Sequence, residues 1–281
     1  MSVNAVAELL RSAREHRQAV GAFNVIQIEH AEAYAVAARR TGCPMVMQVS
    51  QNAAAYHGGL EPIIRACRAV AQVSEVPLAV HLDHAESREL VSQAIGLGVD
   101  SVMFDGSALP YEQNVAETAE VVAEAHAAGV MVEAELGEIG GKDGVHAPGV
   151  RTDPREAVSF VEATGVDALA VAVGSSHAMT ERTAALDLEL IGRLRDRLEV
   201  PLVLHGSSGV PDETLRAAVE AGMTKINIST HLNHAMTRRI RQYLQENLAV
   251  VDPRKYIGAG RDAVTEEVVR LLEVIRARRV Q

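Results

Sequence analysis

Eight short apolar runs, rich in β-branched residues, recur along this chain with helical patterns between them. They cover residues 19–25, 44–50, 77–83, 100–106, 130–136, 168–174, 201–207 and 225–231. The intervening segments, such as YEQNVAETAEVVAEAHAAG and DETLRAAVEAG, carry apolar residues at helical spacing and end in Gly. Strands alternating with helices imply a parallel sheet. Eight such units in roughly 250 residues predict an α/β fold, a (β/α)8 TIM barrel. An open doubly wound sheet is the competing architecture, but no GxGxxG follows the first run. No linker rich in Pro, Gly or Ser divides the chain, so 1–281 reads as a single domain, with 261–279 as an additional C-terminal helix.

Composition removes several function classes. The formal net charge is −10, whereas a nucleic-acid binder wants a basic face. Aromatic residues make up only 3% and Trp is absent, which disfavours base-stacking platforms. No apolar run approaches the roughly 18 residues of a bilayer span. The N-terminal stretch carries Glu8, Arg11, Arg14 and Glu15, so it reads as an amphipathic helix rather than a signal peptide. Cys43 and Cys67 form no CxxC, so neither a disulfide framework nor a cysteine zinc site is suggested, and the expected compartment is the cytoplasm. An acidic chain that handles anionic substrates must concentrate positive elements locally, through metal ions, Arg or backbone N–H groups.

In a (β/α)8 barrel, chemistry sits at the C-terminal ends of the strands. Read in order, those ends are Asn24, Ser50, Asp83 with His84, Asp105, Glu135, His177 shortly after the sixth run, His205, and Asn227 to Thr230. Nearly all are polar and chemically useful. Of the eleven His, His16, His30 and His126 lie in helical patterns, and His57 and His146 in loops. His231 and His234, three apart, make only a weak metal pair. His81 and His84 are three apart on a strand and point to opposite faces, so His84 is the one free to aim into the mouth. His84, His177 and His205 then rise from one rim. Three His and one open position is a catalytic zinc arrangement, although His at a barrel mouth also serves as general base or phosphate partner. Asp83 reads either as a proton carrier or as an acceptor orienting an imidazole. After the seventh run, LHGSSGVPDE exposes backbone N–H groups at Gly206, Ser207 and Ser208. INIST follows in the eighth run, and the loops after strands seven and eight form this fold's usual phosphate site.

HLDH (81–84), VEAELGEIGG (132–141), GSSHA (174–178), LHGSSG (204–209), KINIST (225–230) and DPRKYIG (252–258) together resemble the class II, zinc-dependent ketose-bisphosphate aldolases. These include fructose- and tagatose-bisphosphate aldolases. The resemblance runs in order from about Gly21 to the C-terminal helix. It implies His84, His177 and His205 as zinc ligands and Asp83 as the catalytic proton donor and acceptor. Asp105 and Glu135 match positions of a second divalent metal or an alternative zinc position, and a monovalent cation is a further cofactor candidate. Gly206 to Ser208 and Asn227, Ile228, Ser229 and Thr230 match loops for dihydroxyacetone phosphate. Ser50 and Asn24 fall among the substrate contacts, and Arg254 or Arg261 reaches the distal phosphate, in a homodimer or homotetramer. The expected partner is a small sugar phosphate, with neither nucleic acid nor membrane. Ala178 departs from the family, which has Gly there; that Gly contributes a backbone contact to phosphate. MTERTAALD lacks the usual Lys-Gly or Tyr-Lys character. Both departures bear on the substrate: fructose, tagatose or a deoxy-keto-sugar acid phosphate.

The chemistry itself favours a metal. Aldol cleavage leaves a carbanion beside a carbonyl, which either a Lys Schiff base or a divalent ion can stabilise. Only Lys142, Lys225 and Lys255 occur, and Lys225 is expected at the beginning of the eighth strand, the wrong end for catalysis. Glu138, in the glycine-rich EIGGKDGVHAPG loop, is the candidate base at C3, on a loop suited to closing over substrate. Two alternatives stand beside the aldolase. A metal-dependent hydrolase on this fold wants an HxH pair, which the chain lacks. A non-catalytic sugar-phosphate-binding or assembly subunit is kept open by Ala178.

Overall fold

The computed structural model describes residues 3–137, 151–176 and 181–276. The first half runs α1 (Val3–Glu15), β1 (Val20–Asn24), α2 (Ile28–Thr41), β2 (Met45–Ser50), α3 (Gln51–Tyr56), α4 (Leu60–Val73), β3 (Leu78–Ala85), α5 (Arg88–Gly96) and β4 (Ser101–Phe104). The second runs α6 (Tyr111–Ala127), β5 (Met131–Leu136), α7 (Pro154–Thr164), β6 (Ala168–Val171), α8 (Leu188–Arg197), β7 (Leu202–Leu204), α9 (Asp212–Ala221), β8 (Met223–Ile228), α10 (Thr230–Glu246) and α11 (Pro253–Ile275). All eight strands pair in parallel, in sequence order, and β1 closes on β8. The expected (β/α)8 barrel is the observed one.

Strand alternation sorts the side chains into two cores. Phe23, Met47, Leu82, Phe104, Val132, Leu169, Leu204 and Ile226 face outward and pack with the helix ring. Ala22, Val46, Ala79, Met131, Ala168, Ala170 and Val203 face inward, where Val6, Leu10 and Ala13 of α1 join them. Helix α1 thus plugs the N-terminal end of the barrel and leaves the other end as the mouth. The inward positions nearer the mouth are polar and buried: Gln48, His81, Ser101, Glu133 and Lys225.

Local sequence sets the helix ends. Asp-Pro starts two of them: Asp153 caps α7 by accepting from the N–H of Arg155 and Glu156, and Asp252 caps α11 by accepting from Arg254 N–H. The last helix therefore begins at Pro253, eight residues before the expected 261. Gly258 and Gly260 weaken its propensity, but a Cβ at Gly260 would lie 2.8 Å from Ile240, so the second glycine lets α11 seat closely on α10.

Two irregularities shift the pattern. Leu82 pairs Val102 while Ala85 pairs Phe104, so β3 carries one extra residue between them. In β8, Met223 pairs Leu202 while Lys225 pairs Val203. The eighth strand starts at Met223, and Lys225 is its third residue, inside the barrel, rather than its first as expected. The extra residue at Thr224 is the physical reason: Met223 and Ile226 both face the outer core, leaving Lys225 inward. No helix among the described residues is long and apolar enough to cross a membrane.

Candidate active site

The bulge in β3 explains how two consecutive residues serve one site. In a regular strand Asp83 and His84 would face opposite ways. With one residue extra, both turn into the mouth, and His84 adopts a left-handed backbone at φ 51°, rare for a residue with a Cβ. His84 is the penultimate residue of β3, and the bulge supplies its aim.

From β3 the site extends across the rim. The Nδ1 of His84 lies 2.7 Å from Asp105 Oδ2, directly after β4. Its Nε2 lies 2.9 Å from Nδ1 of His205, directly after β7, with the rings edge to face. The Nε2 of His205 lies 2.9 Å from Glu133 Oε1. Each imidazole thus has a carboxylate on its far nitrogen, which places the N–H there and a lone pair on the near nitrogen. Two lone pairs then converge on one region, an arrangement that a cation relieves. Asp83, His84 and His205 offer ligand atoms within 4.8 Å of one another, as do His84, Asp105 and Glu135. Two imidazoles with carboxylates alongside suit a divalent ion of zinc's type.

The same nitrogen of His205 has a second neighbour. Asn227 Nδ2 lies 3.0 Å from His205 Nε2, while Asn227 Oδ1 is buried without a hydrogen-bond partner among the described residues. The amide can present either its NH2 or its oxygen to Nε2, so Asn227 follows the tautomer that Glu133 sets rather than choosing it.

Asp83 is held by one oxygen. Gln48 Nε2 donates to Asn24 Oδ1 at 3.2 Å, and Asn24 Nδ2 donates to Asp83 Oδ2 at 3.1 Å. Asp83 Oδ1 is buried with no hydrogen-bond partner among the described residues. Burial alone would raise this carboxyl, but His84, His205, Lys225 and His81 outweigh burial and hold it at about 2. Asp83 is therefore a carboxylate at neutral pH with one oxygen available. Burial lowers His205 and outweighs the opposing hydrogen bond that its ring makes to Glu133, so burial favours the neutral imidazole. Burial, with Lys225 nearby, pushes His81 down to about 3, and its Nδ1 meets Ser101 Oγ at 2.7 Å. His81 is an interior group, as its strand parity implied.

The chain after β7 builds a backbone cradle. Gly206 is left-handed at φ 65°, and a Cβ there would lie 2.6 Å from the backbone of Ser176. The segment leading to His177 thus packs beside the residue that follows His205. Ser207 to Gly209 form one 3-10 turn, and Ser208 Oγ accepts from the N–H of Ser229 and of His231 at 3.3 and 3.2 Å. This ties the loops after β7 and β8 together at the start of α10.

A family model described as fructose-bisphosphate aldolase class-II matches residues 4–279. The chain belongs to that family. A fructose-bisphosphate aldolase of Geobacillus stearothermophilus is 40% identical over 273 residues, covering 96% of this chain and 95% of the relative. One of Giardia intestinalis is 38% identical over 296 residues, covering 96% of this chain and 91% of the relative. Among solved structures, the YdjI aldolase of Escherichia coli K12 superposes with a TM-score of 0.84 at 32% identity, covering 97% of each chain. A fructose-bisphosphate aldolase of Campylobacter jejuni, at 22% identity, shares the fold with a TM-score of 0.82 and covers 99% of this chain and 95% of its own.

Within this class-II aldolase barrel, the expected site residues separate into groups. Asn24, Asp83, His84, Asp105, Glu135, His205 and Asn227 come together at the mouth. Ser50 ends β2, and its Oγ caps α3 by accepting from Ala53 N–H. Ile228 turns its side chain to the outer core, so only its backbone faces the cradle formed with Ser229 and Thr230. Arg254 is exposed and paired with Asp252, and Arg261 with Glu32. Both line a groove between α10 and α11 that no rim residue lines. His231 pairs with Glu267, which accounts for it without a metal. Glu138, His177 and Ala178 lie outside the described residues. Reading strand ends alone misses Gln48, Glu133 and Lys225. Each sits two residues before a rim residue, so strand parity was the signal that could have found them.

Proposed function

We propose that this barrel is a zinc-dependent aldolase. In this reading it reversibly cleaves a ketose 1,6-bisphosphate, or a related ketose phosphate, to dihydroxyacetone phosphate and an aldehyde. The observation that carries the reading is the convergence of His84 Nε2 and His205 Nδ1, 2.9 Å apart, beside the open Oδ1 of Asp83. His84 and His205 would hold the ion with His177, and Asp105 and Glu135 would serve a second position. A zinc ion bound there supplies Lewis acidity toward the substrate carbonyl.

Asp83 accepts the proton of the C4 hydroxyl through Oδ1. As the C3–C4 bond breaks, the C4 oxygen becomes the aldehyde carbonyl, and the bonding pair stays with the dihydroxyacetone phosphate half. Glu138 is the proposed group for proton exchange at C3. Gln48 and Asn24 fix the free oxygen of Asp83 toward the mouth. Gly206, Ser207, Ser208 and Thr230 would offer backbone N–H groups, and Ser229 its hydroxyl, to the phosphate next to the ketone. The enzyme would work in the cytoplasm as a homo-oligomer, with Arg254 or Arg261 serving a neighbouring subunit.

Lys225 gives the competing route its sharpest test. It is an inward, mid-strand lysine, but its Nζ is buried and bound to Glu133 Oε2 at 2.7 Å. Borohydride with substrate is expected to leave no adduct; a trapped adduct at Lys225 overturns the metal reading. In a coupled assay for triose phosphate release, chelator should abolish activity and zinc restore it. Asp83→Ala should lower turnover by about 10²–10⁴-fold with bound zinc unchanged. Loss of zinc from that variant would reassign Asp83 to holding the metal site.

A further inference from the structure

A buried chain of three charged or polar groups crosses the barrel interior. Lys225 Nζ, on β8, meets Glu133 Oε2, on β5, at 2.7 Å. Glu133 Oε1 meets His205 Nε2, after β7, at 2.9 Å. None of the three side chains is more than 2% exposed. Taking an ammonium and a carboxylate out of water is costly, and an apolar pair of similar volume would serve the core at least as well. The bulge in β8 is what brings the lysine inside.

The geometry points to a positioning role. Glu133 spends one oxygen on Lys225 and the other on His205, so its carboxylate is fixed at both ends. We propose that Lys225 and Glu133 are a positioning pair that locks His205 in the Nε2–H tautomer, aims its Nδ1 at His84, and thereby sets the affinity of the site for a divalent ion. This rests on reading His205 as a metal ligand. Lys225 determines which way any group at position 133 can turn, because an ammonium accepts nothing and demands an acceptor.

That demand makes an unusual prediction for the isosteric variant Glu133→Gln. With Lys225 present, the new amide must point its oxygen at the ammonium and its NH2 at His205. His205 Nε2 must then accept, so its proton moves to Nδ1, the nitrogen that faces His84. Zinc affinity, measured by chelator competition, should fall about 10–100-fold, and ¹⁵N shifts of the metal-free protein should report an Nδ1–H ring. Removing the lysine as well, in Glu133→Gln/Lys225→Met, frees the amide to turn its oxygen to His205. The second substitution should therefore restore the Nε2–H ring and most of the affinity.

A merely structural ion pair predicts neither the inverted tautomer nor the rescue. An unchanged ring and wild-type affinity in Glu133→Gln overturn the proposal. If that variant does not fold, Glu133→Leu/Lys225→Met removes both charges. It should show mixed tautomers and weakened zinc binding, and a single Nε2–H ring with wild-type affinity there overturns the proposal too. A wild-type protein with one His205 tautomer that binds no zinc refutes the metal reading and the affinity half of this proposal. A tautomer unmoved by these variants refutes the positioning pair alone.

Discussion

Asp83 and His81 share one face of β3 yet meet different fates. Asp83 stays ionised because several cationic or polarisable groups surround it, while His81, boxed in beside Lys225, stays neutral down to about 3. Burial disfavours the charged form of both; at Asp83 the neighbours overturn it, while at His81 burial prevails with Lys225 adding to it. For His81 the consequence reaches stability. The unfolded chain takes up a proton near the ordinary 6.5, but the folded protein resists until about 3. The unfolded state therefore binds more protons across this window, and stability rises with pH there. Denaturant midpoints should fall as pH drops from about 6.5 toward 3. In His81→Gln that part of the slope should flatten, and a slope as steep as wild type would refute the assignment to His81.

At the scale of elements, the two ends of the barrel carry separable duties. Leu10 of α1 is buried against the interior alanines far from the mouth. Leu10→Ala should destabilise by about 2–5 kcal/mol in urea unfolding while turnover per folded molecule stays near wild type. Gly206→Ala acts at the other end. It adds the left-handed penalty of about 1–2 kcal/mol and drives a Cβ into the Ser176 backbone. It should raise KM for the phosphorylated substrate and lower the unfolding midpoint, and a KM at the wild-type value would remove the cradle from substrate binding. The strands themselves were legible from β-branched runs and the helices from their spacing and caps. The start of α11 was hidden, because two glycines argue against helix locally and only the seat against Ile240 compensates. The bulges at 83–84 and at Thr224 were equally hidden. They arise from how neighbouring strands register, which no single run of residues encodes, and so Lys225 was expected on the wrong level of the barrel.

Across the whole molecule, the rim was readable because strand order, once known, gathers residues that lie far apart in the chain. His84 and His205 are 121 positions apart yet touch. What lay beneath the rim was legible only through strand parity, since Gln48, Glu133 and Lys225 otherwise look like ordinary strand interruptions until the barrel closes around them. Metal removal should register globally. A ligand held only by the folded state at a thousand times its Kd adds about 4 kcal/mol, so chelator should lower the thermal midpoint and zinc should restore it in calorimetry. Equal midpoints with and without chelator would count against a site in the folded barrel. The extra residue in β3 carries a last consequence, for how such a gene can vary. Substitutions can retune Asp83 or His84 one at a time, but deleting a single codon between those for Leu82 and Ala85 would straighten the ladder. The loss is then of spacing as well as of Asp83 or His84 itself, and no point change elsewhere in the strand could return the spacing.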